Sequence, residues 1–153
     1  MIKINDEIPK FEILTDTGDF KISNYKGKKI VVFFFPRADT SGCTAESIAF
    51  TNLQHEFDKL DCIVIGISKD NQKKQAKFRE KYNLTCELGA DFENDVCEQF
   101  GVWVEKSMYG KKYMGIQRST FLSNEQGIIT NVWEKVKVPG HAEEVLEAVK
   151  SIN

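Results

Sequence analysis

The residue best placed to do chemistry is Cys43, in the segment Pro36-Arg-Ala-Asp-Thr40-Ser-Gly-Cys43-Thr-Ala-Glu46. This segment leaves an apolar run and enters a stretch of helical periodicity, so the sulfur falls near a helix N-terminus. Unpaired backbone N–H groups and the positive end of the helix dipole stabilise an anion there, which lowers a thiol pKa and raises the fraction present as thiolate. A thiolate is a nucleophile. The bland alternative is that Cys43 fills a gap in the core, the usual role of an isolated cysteine. Its neighbours favour reactivity: Pro36 closes the strand without offering a donor, Gly42 permits close backbone approach, and Thr40 and Thr44 place hydroxyls within a turn of the sulfur.

The other candidate groups point elsewhere. Cys62 opens an apolar run and reads as a buried structural thiol. A Cys-x-x-Cys redox pair is absent, because position 46 is glutamate. Cys62, Cys86 and Cys97 stand 24 and 11 residues apart and the only histidines are His55 and His141, so no metal site is expected. Both histidines read as surface residues rather than general bases.

The elements that must position Cys43 follow from periodicity. Ile30-Val-Val-Phe-Phe-Phe35 is apolar and unbroken, as in a central strand buried on both faces of a parallel sheet. From Ala45, the positions Ala45, Ile48, Ala49, Leu53, Phe57 and Leu60 form one face of a single helix. A strand over 63–68 completes a βαβ unit, and a helix over 71–82, capped by Asn71, presents Ala76, Phe78 and Tyr82. Ser119 to Ser123, the turn Asn124-Glu-Gln-Gly127 and residues 128–133 read as a hairpin, and a helix over 140–152 turns Val145, Leu146, Val149 and Ile152 inward. The fold class is α/β with an antiparallel edge. Sites in such sheets lie beyond the carboxyl ends of the strands, where the Cys43 segment begins.

The 153 residues suit one domain spanning 1–153, with no repeat, linker or low-complexity tract. Twenty-one basic and 23 acidic residues are interspersed, giving a net charge of −2 and no basic stripe for nucleic acid. No apolar run approaches the ~20 residues of a membrane span, and the first residues lack the pattern of a secretory signal. A cytoplasmic, reducing location is expected, and structural disulfides are not.

Pro36, Thr40 and Cys43 match the Pro-x-x-x-Thr-x-x-Cys signature of peroxiredoxins. The longer string through Glu46 resembles the bacterioferritin comigratory protein, or peroxiredoxin Q, subfamily. Residues 95–103, 105–115 and 116–122, the last containing Arg118, are similar to it too, so the resemblance covers almost the whole chain. It implies a thioredoxin-like fold, a central mixed sheet flanked by helices on both faces, and a thiol-dependent peroxidase needing no cofactor. Cys43 would attack the peroxide and leave as sulfenic acid. The threonine matching Thr40 would bond sulfur and peroxide, Pro36 would shield the site, Arg118 would hold the thiolate and polarise the peroxide, and Glu46 would support them. On sequence alone Arg118 reads as a solvated surface charge; only the resemblance promotes it. The partners implied are a peroxide and thioredoxin, glutaredoxin or glutathione, and the subfamily is often monomeric, with a weak dimer as the alternative.

This sequence departs from the subfamily at the resolving step. The position five residues after Cys43 is Ile48, and residues 71–82 contain no cysteine, so both common internal resolvers are missing. Cys86 and Cys97 remain as possible resolving thiols, and a one-cysteine mechanism with an external thiol is the expectation. A redox-sensing interaction protein, in which Cys43 oxidises without efficient turnover, is the alternative. Phe33, Phe34, Phe35, Phe50, Trp103 and Tyr109 read more readily as core than as a pocket for organic hydroperoxides.

Overall fold

The strand that leads to Cys43, β3 (Lys29–Phe34), is buried at all of its positions. Its side chains alternate, with Val31, Phe33 and Phe35 in one core and Ile30, Val32 and Phe34 in the other. It therefore lies at the centre of the sheet. The computed structural model describes residues 1–152. Before β3 come a hairpin, β1 (Glu12–Thr15) and β2 (Gly18–Lys21), and a short 3-10 turn over Ile22–Tyr25. After it come α1 (Ser41–Asn52), α2 (Gln54–Lys59), β4 (Cys62–Ser68), α3 (Gln72–Tyr82), β5 (Glu87–Ala90) and α4 (Val96–Phe100). The chain then forms a separate hairpin, β6 (Trp103–Met108) and β7 (Lys111–Ile116), and returns through β8 (Ser119–Ser123), β9 (Ile129–Trp133) and α5 (His141–Ser151).

The seven-stranded sheet has the order β2-β1-β5-β4-β3-β8-β9. β3, β4 and β5 run parallel, while β8 pairs antiparallel with β3 in a register that sets Ser119 opposite Phe34. Side chains of α1, α2, α3 and α5 pack on one face; α4 and the N-terminal segment cover the other. This is the mixed α/β sandwich that the sequence pattern implies.

Three differences from the sequence pattern have physical causes. The helix after Cys43 is broken at Leu53, whose N–H turns back to Phe50 O at 3.1 Å, just after the poor helix formers Thr51 and Asn52. Ala45 and Ala76 are exposed; on α3 the buried neighbour is Gln75, whose amide donates to Ser68 Oγ and Gly89 O. Specific hydrogen bonds thus bury a polar residue that periodicity assigns to solvent. His141 is buried, not on the surface: Nε2 lies 2.8 Å from Thr120 Oγ1, and its ring meets Phe50 and Trp133 edge-on. Burial and the Arg118 charge lower its pKa against the pull of Glu144 and Glu143.

The aromatic set is chiefly core. Phe33 stacks on Phe50 of α1 at 4.5 Å, and Phe35 packs on Phe78 of α3, whereas Tyr109 is 97% exposed. Gly66 on β4 makes room for this stack, since a Cβ there would sit 2.4 Å from Phe33 Cζ. Gly66→Ala must push Phe33 off Phe50 and should destabilise the protein by about 1–3 kcal/mol, measured as a lower urea midpoint at unchanged slope.

Candidate active site

The loop joining β3 to α1 is held from outside. Asp70, beyond the end of β4, accepts from Ala38 N at 2.7 Å and from Ser68 Oγ at 2.7 Å. Asp39 adopts a left-handed backbone at φ 62° and accepts from Tyr82 Oη and Lys81 Nζ on α3. The Tyr82 bond and then the Lys81 bond keep the Asp39 carboxyl below its usual range. Thr40 is the N-cap of α1 by backbone, but its hydroxyl donates to Arg37 O at 2.8 Å rather than meeting the helix or the sulfur. Pro36 is exposed at the start of the loop.

Cys43 therefore sits in the first turn of α1, and it is 1% exposed. Glu46 follows at i+3, on the same helix face. Arg118 reaches both from the start of β8: Nη2 donates to Cys43 Sγ at 3.2 Å, and Nη1 donates to Glu46 Oε1 at 2.7 Å. Gly42 leaves space for the guanidinium, because a Cβ there would stand 3.2 Å from Nη2.

The electrostatics are those of a buried anion site. Burial opposes the Arg118 charge, but Glu46 and Cys43 together hold its pKa above the ordinary value, so it stays a cation. Burial raises Glu46 to about 7, against the attraction of Arg118, and its Oε2 has no hydrogen-bond partner among the described residues. A fixed guanidinium and a helix N-terminus that meet at one atom form an arrangement that stabilises negative charge there.

The structure thus brings Cys43, Glu46 and Arg118 into contact, with Pro36 and Thr40 on the adjoining loop. All four thiols are free and buried. Cys97 belongs to the core on the far side of the sheet, whereas Cys62 and Cys86 share the Cys43 side. Burial pushes Cys62 and Cys86 up to about 12, and burial with the Asp91 carboxylate raises Cys97 as well. No group of three potential metal ligands occurs among the described residues. A cavity of about 370 Å3 lined by Ile8, Ile22, Tyr25 and Ile30 lies at the opposite end of β3, away from this chemistry.

Sequence reasoning missed the Asp70 bond to Ala38 N and the Lys106 bond to Ile116 O, two residues before Arg118. Asp70 follows a strand, as many surface aspartates do, and nothing local reveals that it holds Ala38. Lys106 lies in a hairpin whose alternation is too weak to read, since most of its side chains are at least partly exposed.

A family profile for AhpC/TSA proteins matches residues 4–132. The chain belongs to the AhpC/TSA family. Within this family it is 43% identical to the protein named peroxiredoxin Bcp of Bacillus subtilis, over 99% of this chain and 98% of that one. A solved structure of Xanthomonas campestris peroxiredoxin Q superposes with a TM-score of 0.90 at 36% identity, covering 97% of each chain. A mutant of Xylella fastidiosa PrxQ gives 0.93 at 33% identity, over 99% of this chain and 97% of that one. The AhpC/TSA profile and the peroxiredoxin Q likeness agree with the family resemblance carried by the Pro36-to-Glu46 segment.

Two outcomes test the geometry. Gly42→Ala should slow reaction at Cys43 roughly tenfold or more by displacing Arg118, and the helix propensity gained with alanine should offset only part of the stability lost with the Arg118 contacts. Glu46→Gln tests the buried carboxyl. A folded pKa of about 7 against a normal 4.5 means that wild-type stability is full below pH 4.5 and is lost as pH rises through 7. In urea unfolding from acid to neutral pH, the wild type should lose about 3 kcal/mol relative to Glu46→Gln. Parallel curves would mean an ordinary carboxyl.

Proposed function

We propose that the protein is a thiol-dependent peroxidase in which the Cys43 thiolate reduces hydrogen peroxide or an alkyl hydroperoxide. The observation that carries this reading is the Arg118 guanidinium bonded at once to Cys43 Sγ and Glu46 Oε1. The sulfur attacks the terminal peroxide oxygen, an S–O bond forms, and the O–O electron pair leaves on the distal oxygen. The products are the Cys43 sulfenic acid and, after protonation, water or alcohol. Arg118 and the helix-end N–H groups stabilise the negative charge that moves from sulfur to the leaving oxygen. In donating to Arg37 O, the Thr40 hydroxyl keeps its lone pairs for the peroxide proton. Pro36 screens the loop side of the site.

Resolution falls to an external thiol. Cys97 is separated from Cys43 by the sheet, and the buried Cys62 and Cys86 thiols are held in the protonated, unreactive form. Thioredoxin, glutaredoxin or glutathione would attack the sulfenic acid, release water and form a mixed disulfide, and a second thiol would free Cys43. A reducing cytoplasm supplies such thiols and suits a chain with four free cysteines.

Treatment with one equivalent of hydrogen peroxide, without added thiol, should raise the intact mass by about 16 Da at Cys43 and leave Cys43→Ser unchanged. A loss of about 2 Da linking Cys43 to Cys86 would assign an internal resolver and overturn external resolution. With a recycling thiol, many equivalents should be consumed. Consumption that stops near one equivalent would favour the redox-sensing reading, and no reaction at Cys43 would defeat both.

A further inference from the structure

A second cation supports the segment that carries Arg118 to Cys43. Lys106 projects from β6, on the hairpin face that carries Val104, Tyr113 and Gly115 in register. Its stem lies across Gly115, where a Cβ would meet Lys106 Cδ at 3.2 Å. Its ammonium donates to Ile116 O, two residues before Arg118. Gln117 N bonds Val102 O at 2.8 Å, so the strap Ile116-Gln117-Arg118 is tied to the hairpin on both sides. Lys106 is half-buried and is paired with no carboxylate among the described residues.

We propose that Lys106 is a positioning residue of the active site: through Ile116 O it holds the strap that presents Arg118 to Cys43. The inference rests on Cys43 acting as a thiolate nucleophile. A half-buried ammonium without a carboxylate partner needs another acceptor, and Ile116 O supplies it. Burial and then the Arg118 charge lower the Lys106 pKa against a smaller pull from Cys43, which agrees with a cation set beside the Arg118 strap. The charged groups that bear on the sulfur are Arg118, in contact with it, Lys106 behind the strap, Glu46 on the same helix, and buried His141, whose pKa Arg118 lowers. The bond to Ile116 O fixes the backbone two residues before Arg118, so the guanidinium needs no reorganisation when the Cys43 anion forms.

The test is the pH profile of Cys43 alkylation by iodoacetamide in the full-length protein, with Cys43→Ser measured alongside so that reaction at the three other thiols is subtracted. In Lys106→Met the midpoint should rise, and the rate near pH 6 should fall about threefold to tenfold, while Lys106→Arg keeps most of the wild-type rate. A folded Lys106→Met protein with an unmoved midpoint overturns the inference even if its thermal stability has dropped. Should Lys106→Met fail to fold, Gly115→Ala serves instead: it keeps the charge, moves the stem, and should shift the midpoint in the same direction, and no shift there overturns the inference. Peroxide turnover by the wild type is scored separately. A wild type without turnover defeats the peroxidase reading, whereas full turnover with an unmoved Lys106→Met midpoint defeats only the role of Lys106.

Discussion

Burying an ion beside a thiol constrains everything around it, because a guanidinium removed from water must meet its partners with little error. Arg118 makes two such contacts, to Cys43 and Glu46, one helical turn apart. For both to form, α1 must begin at a fixed height above the sheet and β8 must begin at a fixed register beside β3. The pairing of Ser119 with Phe34 supplies the register, and the stack of Phe33 on Phe50 supplies the height. The aromatic core is thus the mount of an electrostatic device. A shift of one residue in the β3–β8 register would turn Arg118 to the other face of the sheet.

Helix α1 bears a cost for this arrangement. Thr44 Oγ1, Glu46 Oε2 and Ser47 Oγ are buried there without hydrogen-bond partners among the described residues, and Thr40 gives its hydroxyl to the loop instead of the helix end. Each unpartnered polar atom costs on the order of 1–3 kcal/mol. The start of α1 is accordingly a weak part of the fold, held down by Arg118 and by packing rather than by its own hydrogen bonds. The loop before it compensates through Asp70 and Asp39, which fasten it to β4 and α3.

The four cysteines show how environment sorts one functional group into different chemistry. Cys62 and Cys86 are buried among apolar side chains, which favours the neutral thiol, and Cys97 also faces the negative charge of Asp91. Cys43 is just as inaccessible in the static structure, yet it alone faces a guanidinium across a hydrogen bond. Burial is common to all four; what sets Cys43 apart is a guanidinium that donates directly to its sulfur, since the cations near Cys62 and Cys86, Lys29 and Arg79, do not offset burial there.

The sequence by itself determined the parallel core and the place of Cys43 at the start of a helix, because both are local. The unbroken run at 30–35, the periodicity after Cys43 and the proline, threonine and glycine around it are all contained in one short segment. The family resemblance supplied Arg118, which nothing near it in sequence distinguishes from a surface charge. Only the tertiary structure decided which distant groups meet that segment. It brought Arg118 to the sulfur, set Lys106 against the segment that carries Arg118, fastened the loop with Asp70, buried His141 against Thr120, and put Cys97 on the far side of the sheet. The physical reason is that periodicity records which face of an element is apolar, whereas the partner of a buried polar group depends on strand register and helix height. Those are properties of the assembled sheet, which no short stretch of sequence encodes.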